Sequence, residues 1–115
     1  LRELYSDKKI TAMFQPHLYT RTRDFYKDFA DALSILDRVV LLDIYPAREL
    51  PIDGVTSKLI YDNLAEGVEK KMIKKDEVIG YVENNDFEVL VILGAGDLDN
   101  QTDDIADVLR KKYHI

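Results

Sequence analysis

Two arginines and a histidine follow directly after a short apolar run near the start of the chain. The stretch FQPHLYTRTRDF, residues 14–25, contains His17, Tyr19, Arg21 and Arg23. A planar guanidinium presents paired N–H donors that match a carboxylate or a phosphate. A helix that begins in this stretch would add free backbone N–H groups, which also favour an anion. We therefore predict an anion site formed by Arg21 and Arg23, with His17 beside them.

A simpler interpretation of the two arginines stays open. Positive charge at a helix start opposes the helix dipole, so the arginines could instead be solvated or paired with Asp24, Asp28 or another surface acid. His17 alone would be more typical of a histidine that is hydrogen-bonded within its loop than of a catalytic one. The two interpretations differ in whether the guanidinium groups face a cavity or an acidic partner.

The elements that would position these residues alternate between strands and helices. Nearly continuous apolar runs are typical of strands buried on both faces of a parallel sheet. Such runs occur at ITAMFQ (10–15), VVLLDIY (39–45) and FEVLVILG (87–94), with a weaker candidate at KKMI (70–73). Helical periodicity follows each of them. The pattern predicts one α/β domain over residues 1–115: a three-layer, open, mostly parallel, Rossmann-like sheet with helices on both faces.

Helix positions follow from spacing and capping residues. The first helix is predicted from one apolar stripe, which comprises Phe25, Phe29, Ala32, Leu33 and Leu36. Hydroxyl and amide side chains before a helix can cap it, so Thr56 or Ser57 is expected to cap the second helix, and Thr102 or Asn100 the last. The opening LRELYSDKK is typical of the end of an amphipathic helix, which indicates a piece of a longer protein.

Two further strand ends carry candidate side chains, because ligands of open α/β sheets bind at the carboxyl ends of the strands. We expect Asp43 and Tyr45 after the second strand, and Gly96 and Asp97 after the last, to line the site secondarily, together with Tyr19. An alternative function is a response-regulator-like receiver domain phosphorylated at Asp43. The GAGD turn resembles a dinucleotide fingerprint but has Asp99 where that pattern requires glycine or alanine.

Composition excludes several classes of function. The 115-residue chain has a formal net charge of −6, which argues against sequence-independent binding of nucleic acid. It has no cysteine and two histidines, so we predict no metal site. No P-loop and no G-x-S-x-G motif occurs, and no apolar run reaches the roughly 18 residues that span a membrane. We assign no catalytic residue within this chain.

Three ordered stretches, FQPHLYTRTRDFYKDFADAL, VVLLDIYPARE and VLVILGAGDLDN, resemble the C-terminal domain of the Mur ligases over nearly the whole chain. The resemblance implies a three-domain cytoplasmic enzyme that joins L-alanine to UDP-N-acetylmuramate in peptidoglycan synthesis. ATP and Mg²⁺ would be held mainly by a central domain absent here, and this fragment would be inactive alone. The family's first βα unit would also be missing.

Residue roles carried over by that resemblance concern the amino acid. His17 and Arg21 match positions that the family uses near the alanine carboxylate, and Arg23 lies close by. Many members have arginine where this chain has Leu18. That difference places more of the carboxylate recognition on Arg21.

Overall fold

A computed structural model describes residues 7–94 and 96–114 of the chain. Four strands alternate with four helices: β1 (Ile10–Gln15), α1 (Tyr19–Leu33), β2 (Arg38–Leu41), α2 (Lys58–Asn63), β3 (Glu69–Met72), α3 (Val78–Asn84), β4 (Val89–Gly94) and α4 (Thr102–Tyr113). Short 3-10 turns, Lys75–Glu77 and Asp99–Gln101, precede α3 and α4. The predicted helix at LRELYSDKK lies largely outside the described residues.

The four strands form one parallel sheet in the order β3-β2-β1-β4. This arrangement confirms the predicted α/β class. Both inner strands are covered on both faces, since every residue of β2 is buried and β1 is buried except for Phe14. The most apolar strand of the sequence, β4, lies instead at an edge of the sheet and is only partly buried.

Two hydrophobic cores lie on opposite faces of the sheet. The core on one face joins α1 and α2 to the sheet and includes Ala12, Ala30, Val39, Leu41 and Ile60. The core on the other face joins α3 and α4 to it and includes Met13, Val40, Val78, Val82 and Ile105. Alternate residues of β1 and β2 enter opposite cores, because successive side chains of a strand point to opposite faces. Helices therefore cover both faces, as predicted.

The first helix begins earlier than its apolar stripe indicates. Helix α1 starts at Tyr19, whereas the stripe begins at Phe25, a side chain that is 48% exposed. The buried face instead includes Thr22, whose hydroxyl donates to the Leu18 carbonyl oxygen at 2.9 Å. A polar residue can be buried there because its hydrogen bond is made within the helix. The earlier start places Arg21 within the first turn.

Helix capping agrees with the predictions at α2 in position, but not at α4. Ser57 occupies the N-cap of α2, but its hydroxyl donates to the Leu42 carbonyl and ties the helix to the strand end. The Thr56 hydroxyl accepts from the Lys58 backbone N–H at 3.2 Å. At α4 the N-cap is Gln101, so neither Asn100 nor Thr102 caps that helix. Among the helices of the described residues, none is long and apolar enough to cross a membrane.

Candidate functional site

The sheet reverses its order of strands between β1 and β4. From β1 the chain adds β2 and β3 on one side, and β4 then pairs with the other side of β1. Open α/β sheets bind ligands outside the carboxyl ends of the strands at such a switch point. The residues that follow β1 and β4 therefore lie where the fold favours a ligand.

A cavity of about 280 Å³ opens at this point, and we call it the Arg21 cavity. Its lining residues come from β1, the loop after it, α1 and the end of β4: Phe14, Gln15, His17, Arg21, Phe29 and Gly94. The two phenylalanine rings pack at 5.4 Å between centroids. One cation, one imidazole and two aromatic rings thus surround a single small space.

Gly94 permits the close approach of β4 to β1 at the cavity. Its φ of 136° lies in a region that side chains disfavour, and a Cβ built there would lie 2.7 Å from the Gln15 carbonyl oxygen. Only glycine avoids both penalties. The end of β4 can therefore lie against β1 and border the cavity.

Arg21 and Arg23 lie on different sides of α1. Residues two apart are about 200° apart around a helix axis, so they do not share a face. Arg21 is exposed and lines the cavity, and among residues 7–94 and 96–114 no carboxylate pairs with it. Arg23 pairs with Asp24, with 2.9 Å between Nε and Oδ1. That hydrogen bond raises the pKa of Arg23 and lowers the pKa of Asp24. The predicted sharing of one anion site by both arginines is therefore not what the geometry favours.

The backbone N–H of Thr20, in the first turn of α1, is also not open to a ligand. The Glu49 carboxylate accepts from the Thr20 N–H at 3.1 Å and from the Thr20 hydroxyl at 2.6 Å. These bonds, the hydroxyl bond above all, lower the pKa of Glu49. This internal carboxylate therefore occupies the Thr20 N–H, one of the helix-start donors that were expected to favour an anion. Sequence reasoning did not identify Glu49.

His17 is held by a contact with Tyr45, a residue of the segment that follows β2. Its ring stacks on Tyr45, with centroids 6.0 Å apart and an interplanar angle of 17°. Tyr45 in turn packs on Gly96, where a Cβ would lie 2.3 Å from the ring. Tyr45 and Gly96 therefore contribute to the support of His17 but do not line the cavity themselves. Tyr19 begins α1 and is likewise not among the lining residues.

Asp43 and Asp97 belong to a neighbouring cavity of about 400 Å³, which we call the Lys74 cavity. It is lined by Gln15, Leu42, Asp43, Lys74, Lys75, Asp76 and Asp97. Lys74 pairs with Asp43 at 3.2 Å, and Lys75 lies 3.7 Å from Asp97. Each of these two lysines thus already faces a carboxylate.

Gln15 separates the two cavities and was missed by sequence reasoning. Its amide nitrogen donates to the Asp43 carbonyl oxygen at 3.2 Å and to the Asp97 carboxylate at 3.1 Å. Its amide oxygen accepts from the Leu98 N–H at 2.9 Å. This buried side chain joins the ends of β1, β2 and β4. Its signal in the sequence is a polar residue that ends an otherwise apolar strand.

Comparisons with known proteins give the family relationship. No family model matches the chain. It is 65% identical over 112 residues to the UDP-N-acetylmuramate–L-alanine ligase of Phocaeicola vulgatus, which covers 97% of this chain. The ligase of that name from Porphyromonas gingivalis is 58% identical over 86% of the chain, and that from Parabacteroides distasonis is 47% identical over 97%. The chain is homologous to part of the UDP-N-acetylmuramate–L-alanine ligases.

The match to these ligases is confined to a C-terminal portion of them. The chain spans about a quarter of the length of the curated relatives it matches, 24% of the Phocaeicola vulgatus protein. Among solved structures, a hypothetical protein from Sulfolobus tokodaii overlaps 88% of this chain and 83% of its own at 12% identity, with a TM-score of 0.44.

The ligase relationship and the site geometry leave the receiver alternative without support. The relatives named above are ligases. Within the described ranges, no group of three His, Asp or Glu side chains could hold a metal ion, whereas a receiver needs acidic Mg²⁺ ligands beside its phosphorylated aspartate. Asp43 lines the Lys74 cavity, where Lys74 pairs with it.

Proposed function

We propose that the chain is the single C-terminal, amino-acid-presenting domain of a cytoplasmic, ATP-dependent, ADP-forming ligase. That ligase would join L-alanine to UDP-N-acetylmuramate in peptidoglycan synthesis. The proposal is supported by identity of up to 65% to relatives that carry this name. Because the chain spans only about a quarter of their length, the first two domains of the enzyme would supply the remaining parts of the active site.

The observation that carries the proposal is the charge of Arg21 at the switch-point cavity. Its guanidinium is exposed there without a carboxylate partner in the part of the chain that the structure describes. A carboxylate that enters the cavity would meet the guanidinium and the imidazole of His17. The rings of Phe14 and Phe29 would provide an apolar wall for a short aliphatic side chain. L-Alanine has both of these chemical features.

In this proposal the chain contributes position and not a catalytic group. Binding of the alanine carboxylate by Arg21 and His17 would orient the amine toward the activated muramoyl carboxylate. Holding two reactants in the right geometry can contribute about 7–11 kcal/mol to barrier lowering in favourable systems. We place ATP and Mg²⁺ mainly in the central domain, as the resemblance implies. The chain alone would then be inactive.

The experiment is steady-state kinetics of the full-length ligase that carries this sequence, with Arg21→Ala and Arg23→Ala as a matched pair. A charge-assisted hydrogen bond contributes about 1.5–3 kcal/mol, so Arg21→Ala should raise the KM for L-alanine about tenfold or more. The KM for ATP should change little. Arg23→Ala should change neither constant, because Arg23 is paired with Asp24 outside the cavity.

Two results would contradict the proposal. Alanine kinetics that are unaltered in Arg21→Ala would remove the role of Arg21. Equal effects of the two substitutions would show that general positive charge, and not the cavity, determines alanine binding.

A further inference from the structure

The first turn of α1 has no cap from its own sequence. The N-cap is Leu18, which has no side-chain acceptor, and the first turn contains no acidic residue. It does contain Arg21, whose charge opposes the helix dipole. Helix starts need acceptors for their free N–H groups. The stability of this helix start therefore depends on a residue from elsewhere in the chain.

Glu49 supplies the missing acceptor from the loop that follows β2. Its two carboxylate oxygens accept separately from the backbone N–H and the hydroxyl of Thr20. The Tyr19 N–H contributes a further, weaker interaction that lowers the pKa of Glu49. One side chain thus provides both the negative charge and the hydrogen-bond acceptors that the helix start lacks.

Backbone contacts join the same two loops. The Tyr45 N–H donates to the Pro16 carbonyl oxygen at 2.8 Å, and the Leu18 N–H donates to the Tyr45 carbonyl oxygen at 2.9 Å. Leu18 and Ala47 have positive φ values of 71° and 53°. Such conformations cost free energy in residues other than glycine and persist only where neighbouring contacts impose them. The Glu49 side chain is part of the contacts that hold both loops.

We propose that Glu49 is a positioning residue for the amino acid site. By holding Thr20, it fixes the first turn so that the next residue, Arg21, presents its guanidinium to the cavity. By accepting from the Thr20 N–H, it also removes that donor from competition with Arg21 and His17 for the ligand carboxylate. This role rests on the proposed function of the Arg21 cavity.

The first test uses Glu49→Ala and Glu49→Gln in the full-length ligase. Misplacement of a binding group costs much of its effect, so Glu49→Ala should raise the KM for L-alanine about fivefold, with kcat and the KM for ATP little changed. Glu49→Gln should recover part of the loss because an amide oxygen still accepts from Thr20. Asp53→Ala removes an exposed carboxylate from the same loop and should have no effect. An effect of Asp53→Ala equal to that of Glu49→Ala would overturn the inference.

The second test asks whether Glu49 acts through Arg21. In the Arg21→Ala background, Glu49→Ala should change the KM for L-alanine by no more than about twofold, since coupled residues are not additive. Effects that multiply fully would overturn the inference. If Glu49→Ala does not fold, Thr20→Val removes the hydroxyl partner alone and should raise the same KM. Wild-type alanine kinetics in both Glu49→Gln and Thr20→Val would then contradict the role of Glu49.

The two proposals fail in different ways. Unaltered kinetics in Arg21→Ala would overturn the proposed function and this inference with it. A raised KM in Arg21→Ala together with wild-type kinetics in Glu49→Ala would overturn only the positioning role.

Discussion

The Arg21 cavity and the Lys74 cavity lie side by side at the carboxyl end of one sheet and share Gln15 as a wall. Their volumes are about 280 and 400 Å³, respectively. They differ in how their charges are compensated. Lys74 and Lys75 each face a carboxylate within 4 Å, whereas Arg21 faces aromatic rings and an imidazole.

If the Arg21 cavity binds the amino acid, as proposed, then uncompensated charge, and not the number of charged residues, distinguishes it from the Lys74 cavity. A ligand carboxylate that enters the Lys74 cavity would have to compete with Asp43 and Asp97 for the lysines and would be repelled by those acids. A ligand carboxylate that enters the Arg21 cavity displaces no acidic group within the described residues. The free energy of its contact with Arg21 is therefore available for binding.

Substitution of Gln15, which lines both cavities, is the largest change in stability that we predict. Gln15→Met keeps the volume of the side chain but leaves the buried Leu98 N–H without its acceptor. An unsatisfied buried donor costs about 1–3 kcal/mol, so the free energy of unfolding of the 115-residue chain should fall by that amount. Urea unfolding followed by circular dichroism measures it. The shape of both cavities should change, because Gln15 lines both of them and its amide nitrogen also donates to the Asp97 carboxylate.

Gln101→Met is the matched control for Gln15→Met. The Gln101 amide donates to the Lys75 carbonyl oxygen at 2.9 Å, but in an exposed position where water can replace it. We expect a change within about 0.5 kcal/mol. Equal losses of unfolding free energy in the two variants would contradict the proposed structural role of Gln15 between the cavities.

The dependence of the melting temperature on pH should report on the hydrogen bonds that Glu49 accepts at the start of α1. The pKa of Glu49 is below its ordinary value of 4.5, first because of the Thr20 hydroxyl bond. A lowered pKa in the folded state stabilises the fold above 4.5, and this contribution is lost as the pH falls through the lowered value. The melting temperature of the wild-type chain should therefore fall more steeply than that of Glu49→Gln between about pH 5 and pH 3.

This pH comparison isolates Glu49 from other acids. The pKa of Asp24 is also lowered, by its hydrogen bond from Arg23, but Asp24 is present in both proteins. The difference between the two melting curves therefore reports on Glu49. Parallel curves would contradict the assignment of Glu49 as the acceptor at the start of α1.

The fold could be predicted from sequence because its signals are local. Continuous apolar runs mark β1, β2 and β4, and the turns after them contain proline or glycine. Even the weak KKMI run is a strand, β3, which pairs with β2 at the sheet edge. The order of strands, with β4 at the other edge beside β1, depends on pairings between distant segments and cannot be obtained from periodicity.

The site could be predicted only in part, for two physical reasons. Glu49 and Thr20 are 29 residues apart, so nothing near α1 in the sequence reveals the acceptor at its first turn. Arg21 and Arg23 look equivalent until the helix start is known. Once α1 begins at Tyr19, the 3.6-residue period separates the two arginines, and only one can face the cavity.

The smallest predicted effects belong to the Lys74 cavity. The Lys74–Asp43 pair is exposed at 71% and 66%, and exposed pairs contribute about 0.2–1 kcal/mol. Lys74→Ala, Asp43→Ala and the double variant form a cycle that measures this coupling in the 115-residue chain. In the full-length ligase, Lys74→Ala should leave the KM for L-alanine within about twofold of wild type, since its charge is already compensated. A rise as large as that in Arg21→Ala would mean that the ligand reaches both cavities. The contrast in charge compensation would then no longer separate a binding cavity from a structural one.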